Sequence, residues 1–165
     1  MPDPTLLEAA RQLQAACLRT ALTVATAESC TGGLVVGTLT AIPGSSGYVV
    51  GGIVSYANAV KEAQLGVAGD LLRDHGAVSP EVATAMADGA RERLGSDLAI
   101  SITGVAGPDG GTIEKPVGLT FIGLAAAGRP TAARRFEFAG DREANRRAAT
   151  LEAIRWLTET AAGWS

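Results

Sequence analysis

Apolar positions along the chain follow two spacings, one helical and one extended. Leu6, Ala10, Leu13 and Cys17 recur every three or four residues behind Asp3 and Pro4, a capping residue and a first-turn proline. This predicts an N-terminal helix with Cys17 on its core face. Residues 20–27 are short, apolar and β-branched, as a buried strand is, and they stop at Glu28-Ser29-Cys30-Thr31-Gly32-Gly33. Residues 34–42 resume as a helix, with Thr31 or a neighbour as the expected cap. A loop at 43–47 precedes a second strand, 48–56, after which Asn58 is placed to cap a helix running through Lys61 to Leu65. Leu71-Leu72 and His75-Gly76 predict a short helix closed by glycine. Ser79-Pro80-Glu81 opens another, with Val82, Ala85, Met86, Ala90 and Leu94 inward and Gly95 at its end. Residues 98–102 read as a strand leading into the glycine-rich stretch 103–111. Residues 117–125 and 131–138 predict a hairpin around Gly128-Arg129-Pro130. Gly140-Asp141-Arg142 opens a last helix with Ala144, Ala148, Leu151, Ile154 and Leu157 facing inward.

Helices alternate with strands and a hairpin follows, which predicts the α/β class. The expected architecture is one domain over residues 1–165, a three-layer α/β/α sandwich around a mixed, mainly parallel sheet. The polar, glycine-rich segments fall repeatedly at strand ends, where open α/β sheets place their ligands. A length of 165 residues supports one domain with a sizeable core. With 47% hydrophobic and 19% charged residues, disorder is excluded. Fourteen basic residues against 17 acidic ones leave a net charge of −3, which argues against nucleic acid as a partner. The longest apolar runs, such as 117–127, are too short and glycine-broken to span a bilayer, and Met1-Pro2-Asp3-Pro4 is no secretory leader. Two cysteines and one histidine supply neither a disulfide framework nor a structural zinc site. A cytoplasmic protein without metal or cofactor is expected.

Only two of the basic residues are lysines, Lys61 and Lys115. Biased use of arginine accounts for the scarcity, yet lysine alone of the two can give up its proton when desolvated. Ser29 stands where a strand turns into a helix, a place that exposes a hydroxyl and aims backbone N–H groups at a developing oxyanion. The local pattern is not Gly-x-Ser-x-Gly, and His75 sits beside a helix end as a surface or capping residue, so a Ser-His-Asp triad is not supported. A serine can instead be activated by a neutral lysine. If the first two strands are neighbours, Ser29 and Lys61 meet at one sheet edge. The alternatives are a plain capping serine and a lysine on a solvated helix face. Cys30 is a rival nucleophile or a packed thiol. Tyr56 and Asn58 orient Lys61 or substrate, or serve as strand-end packing and a helix cap. The loop from Gly104 through Gly107 to Gly111 is a phosphate or sugar cradle or an ordinary long loop, and it fits neither the dinucleotide nor the Walker pattern. Thr103 leads into it. Arg142, inside a helix N-terminus, binds a phosphate or stands at the surface.

Several of these segments together resemble one family: Ala27-Glu28-Ser29-Cys30-Thr31-Gly32-Gly33-Leu34, Val54-Ser55-Tyr56-Ala57-Asn58-Ala59-Val60-Lys61, and His75-Gly76-Ala77-Val78-Ser79. Ser101 to Gly111, Glu114-Lys115-Pro116-Val117-Gly118 and Gly140-Asp141-Arg142 extend the likeness from about residue 5 to residue 160. The chain is similar to the CinA C-terminal domain, the nicotinamide-nucleotide amidase (PncC) family. The resemblance implies a bacterial hydrolase of pyridine nucleotide salvage, converting nicotinamide mononucleotide to nicotinate mononucleotide and ammonia. It implies Ser29 as nucleophile and Lys61 as its base, with Tyr56 and Thr103 at further active-site positions. Cys30, Thr31, Gly32, Asn58, Gly104, Gly107 and Arg142 are the expected substrate contacts, Arg142 as the match for a family arginine. Many relatives carry an added N-terminal domain resembling molybdopterin-binding proteins; its pyrophosphatase activity is not expected here. Family members are commonly oligomeric, which leaves room for a homo-oligomer. A silent nucleotide-binding module and an amidase for another pyridine amide are the competing readings.

Overall fold

The computed structural model describes residues 3–165. Helix α1 (Pro4–Thr20) starts as its sequence predicts, with the Asp3 carboxylate accepting from the N–H groups of Thr5 and Leu6. The strand predicted from residue 20 begins later, as β1 (Val24–Glu28). The helix runs on to Thr20, Ala21 closes it in a left-handed conformation, and Thr23 is tied by its N–H to Asp97 at 2.8 Å. Then follow α2 (Leu34–Thr40), a short 3₁₀ turn (Ser45–Gly47), β2 (Val49–Val54), α3 (Asn58–Leu65), α4 (Gly69–His75) and α5 (Pro80–Leu94). The chain continues as β3 (Leu98–Gly104), β4 (Leu119–Ala126), β5 (Arg129–Glu137) and α6 (Arg142–Ala162).

Three local expectations change. Asn58 is the first residue of α3 rather than its cap, which is Ala57 with no side-chain bond. Thr31 does not cap α2: the cap position is Gly33, and Glu28 supplies the acceptor. In α6 Ile154 and Leu157 face inward as predicted, but in the first turns the buried positions are Asn145 and Ala149 rather than Ala144 and Ala148, and Ala144 is exposed. Asn145 is polar, so an apolar periodicity passes over it.

The five strands form one sheet in the order β2-β1-β3-β4-β5. The β1–β2 and β1–β3 ladders are parallel, and β4 is antiparallel to both β3 and β5. Strand residues alternate between two apolar cores. Val24, Leu98, Ile100, Ile102, Ile122 and Leu124 pack with α1, α2 and α6, while Ala25, Ala27 and Ala99 pack with α3, α4 and α5. Residues on the second face are small for a reason of distance. α5 lies so close that a Cβ at Gly123 would collide with the Ala83 carbonyl and with Ser101 Oγ. The sandwich is therefore three-layered, and among the described residues no helix is long and apolar enough to cross a membrane.

The parallel ladders decide where chemistry can occur. Because β1, β2 and β3 run the same way, their C-terminal ends share one edge, with Glu28 in register with Val54 on one side and Ile102 on the other. The segments that follow are the three polar stretches singled out above.

Candidate active site

Ser29 extends the end of β1, its N–H donating to the Ile102 carbonyl at 3.0 Å. Beside it the Ser55 N–H donates to the Glu28 carbonyl at 2.8 Å, which carries the β1–β2 ladder into the segment before α3. That pairing brings together two residues 32 positions apart: Lys61 Nζ lies 3.0 Å from Ser29 Oγ. Lys61 is 1% exposed, and its Nζ also reaches the carbonyls of Ser55 (2.8 Å) and Tyr56 (3.1 Å). An amine nitrogen has three directions besides its bond to Cε. Here two are N–H groups given to carbonyls, and the third faces the serine. Burial lowers the lysine pKa from its ordinary 10.5, because the charged form is the one that loses solvation. In the neutral amine the direction facing Ser29 holds the lone pair, so the hydroxyl donates to it.

Cys30 holds its thiol packed rather than presented. Its side chain is buried in the core beneath α1, α2 and α6, and burial pushes the thiol up to about 11. It is protonated at neutral pH, in keeping with a packed thiol. No backbone carbonyl among the described residues accepts from the N–H groups of Cys30 and Thr31. Donors further along the turn are already engaged: Gly32 N–H to the Ser29 carbonyl, and Gly33, Val35 and Val36 N–H to the Glu28 carboxylate.

Two side chains that the pattern analysis did not single out hold this turn. Glu28, fully buried, accepts from those three N–H groups and from the hydroxyls of Thr31 (2.8 Å) and Thr26 (3.3 Å). Arg146 of α6 donates to the carbonyls of Cys30 and Thr31, each at 3.0 Å. A glutamate at the end of a strand that turns into a helix was the available signal for the first, since helix N-termini favour negative charge. Arg146 is one of several arginines on α6, and only the fold selects it.

A cavity of about 280 Å³ opens over the Ser29–Lys61 pair. Cys30, Tyr56, Asn58, Thr103, Gly104, Gly107 and Arg142 line it as well. Thr31 and Gly32 do not: the Thr31 side chain is buried against Glu28, and Gly32 sits in the turn with φ 59°. Thr103 Oγ1 donates to the Ala77 carbonyl at 2.7 Å, pinning the segment between α4 and α5 against the cavity. Arg142 donates to the Gly107 carbonyl (2.8 Å) and to the Tyr56 hydroxyl (3.2 Å), spanning the mouth. The glycine-rich loop is anchored by Asn145, whose amide donates to the carbonyls of Ala106 and Gly140 and accepts from Gly140 N–H. Lys115 lies outside the site, its ammonium on the His75 carbonyl at 2.6 Å. No group of three His, Cys, Asp or Glu side chains able to hold a metal ion occurs among the described residues.

This arrangement has relatives. Residues 7–161 match the CinA C-terminal domain family. A CinA-like protein of Geobacter sp. (strain M21) is 53% identical over 136 residues, 82% of this chain and 33% of the relative. A putative competence-damage inducible protein of Halothermothrix orenii is 49% identical over the same shares. The chain spans about a third of the length of the curated relatives it matches. Among solved structures, the competence/damage inducible protein CihA of Agrobacterium tumefaciens superposes with a TM-score of 0.93 at 38% identity, covering 96% of this chain and 97% of that one. A CinA superfamily protein of Klebsiella pneumoniae superposes at 0.92 with 31% identity, over 96% and 99%. With the match running through the Ser29 turn, the Lys61 helix and the glycine-rich loop, the chain belongs to the CinA C-terminal domain family.

Proposed function

We propose that the protein is an amidase that hydrolyses the carboxamide of nicotinamide mononucleotide through a Ser29 acyl-enzyme, with Lys61 as the base. The observation that carries this reading is the 3.0 Å approach of Lys61 Nζ to Ser29 Oγ, with the amine buried and both its other directions bound to carbonyls. A binding module needs no desolvated lysine aimed at a hydroxyl, and burying one is costly.

In the reaction, neutral Lys61 takes the Ser29 proton as Oγ forms a bond to the amide carbon. The carbonyl electron pair moves onto oxygen, where the N–H of Cys30, a residue that lines the cavity, receives it; such a donor is worth on the order of 100-fold in rate. Protonated Lys61 gives its proton to the amide nitrogen, the C–N bond breaks and ammonia leaves. Lys61, neutral again, deprotonates a water that attacks the ester. Collapse of that intermediate returns the proton to Ser29 and frees the nicotinate product. Arg142 at the mouth offers its guanidinium to the phosphate, exchanging the Tyr56 hydroxyl for a charged partner. Tyr56 and Asn58 border the ring, and the Gly104–Gly107 backbone borders the ribose. We place this activity in the cytoplasm, where pyridine nucleotides are recycled.

The deciding experiment is ammonia release from nicotinamide mononucleotide by purified protein beside Ser29→Ala. Release by the wild type alone is expected. Equal release by both sinks the serine mechanism, and release by neither sinks the amidase.

A further inference from the structure

We infer that Glu28 is a positioning residue for the nucleophile: its carboxylate holds the turn after β1 in the arrangement that presents Ser29 Oγ to Lys61. The inference rests on the Ser29–Lys61 reading and concerns a side chain that touches neither substrate nor base.

A carboxylate is an expensive group to bury. Away from water it is tolerated only with a counter-ion or with its oxygens filled by donors. Glu28 has no cation within ion-pair distance among the described residues. It is satisfied by five donors instead: Thr31 hydroxyl and the N–H groups of Gly33 and Val35 on Oε1, and Val36 N–H and the Thr26 hydroxyl on Oε2. All but Thr26 come from residues 31–36. The α2 cap, Gly33, is left-handed at φ 101° and offers no side chain, so the side-chain acceptor for the N–H groups of the helix start is Glu28. Ser29 is the next residue in the chain. Its N–H is held by Ile102 and its carbonyl by Gly32 N–H, so the turn that Glu28 gathers is the one that orients the hydroxyl.

The neighbouring strand makes room for this device. Gly52 on β2 faces Thr26, and a Cβ there would collide with the Thr26 hydroxyl that donates to Glu28. At φ 101° position 33 suits glycine and not an ordinary capping side chain, which takes extended backbone. What the carboxylate adds is a link between the last β1 residue and the first turn of α2, with the nucleophile between its two ends. Errors near 1 Å in reacting groups cost on the order of 100-fold in rate.

The test uses Glu28→Gln, which keeps the shape but turns one acceptor oxygen into a donor facing occupied N–H groups. A fluorophosphonate reports Ser29 reactivity without any assumption about the natural amide. Its second-order labelling rate is measured on the titratable fraction, beside kcat and KM for nicotinamide mononucleotide and the pH midpoint of labelling. Expected is a fall on the order of 10- to 100-fold in labelling and in kcat, with KM within twofold and the midpoint unmoved, since Lys61 remains the base. A merely structural role would lower the melting temperature and the folded yield, leaving the rate per folded molecule intact. Glu28→Gln that labels within twofold of wild type overturns the inference. Should that variant fail to fold, Thr31→Val removes one donor isosterically, and the same pattern is expected in weaker form; a wild-type rate there overturns it too. A wild type that labels at Ser29 but releases no ammonia defeats the amidase reading and leaves this inference standing. A wild type that never labels defeats both.

Discussion

Replacing Lys61 by methionine tests the base through two independent properties. The side chain is buried and desolvation holds its pKa below 10.5, so the folded protein binds fewer protons here than the unfolded chain does. Stability therefore rises with pH from the folded pKa of Lys61 up to 10.5, the unfolded value. Over that window one proton contributes a slope of about 1.4 kcal/mol per pH unit. The buried thiols act the other way: Cys30, held up near 11, and Cys17, near 12, lose stability as pH rises above their ordinary value of 9.0. The Cys17 contribution is common to wild type and Lys61→Met, whereas Cys30 and Lys61 feel each other's charge, so the difference between the two reports Lys61 together with its coupling to Cys30. Urea melts at half-unit steps from pH 6 to 10 should show wild-type stability gaining on the variant through the part of the window that they cover. Wild-type kcat/KM for ammonia release should rise with unit slope and level at the folded pKa, where that window opens. Loss of the base should lower kcat on the order of 100- to 10,000-fold. A stability difference flat from pH 6 to 10 would refute the reasoning, as would a rate indifferent to pH across that range.

Three further outcomes follow from the geometry. Ser29→Ala should lose at least about 1,000-fold in kcat, yet still bind nicotinamide mononucleotide by calorimetry; an active variant would move the nucleophile elsewhere. Cys30→Ala should keep its activity but lose about 1–2 kcal/mol in urea unfolding, as a small cavity opens in the core; its wild-type thiol, held at about 11, should react slowly with maleimide at pH 7. Asn145→Ala removes three hydrogen bonds from the junction of the glycine-rich loop and α6. It should cost about 1–3 kcal/mol and raise KM more than it lowers kcat, since the loop borders the cavity rather than the reacting atoms.

Much of this protein was legible from one chain of letters because the relevant physics is local. Asp3, Ser79 and Asp141 each announce a helix within three residues, and all three accept the hydrogen bonds that their positions predict. The alternating strands and helices dictate a covered sheet, and polar turns at strand ends mark where a ligand can reach it. Ser29 and Lys61 stood out as the right residue types in the right turns. Their meeting was conditional, however, because it depends on β2 lying beside β1 in parallel, a pairing that no local period specifies. The fate of the amine was conditional in the same way. A lysine in a helix is ordinarily solvated, and only the packing around α3 strips water from this one and sets two carbonyls against it. Glu28, Arg146 and Asn145 escaped notice because polar residues carry no hydrophobic signal. Their roles arise from donors and acceptors that lie far off in sequence or in the next turn, and burial turns those contacts into requirements. Short-range spacing thus decided the elements and named the candidate chemistry, while tertiary contact alone decided which side chains were desolvated, paired and brought to one edge of the sheet.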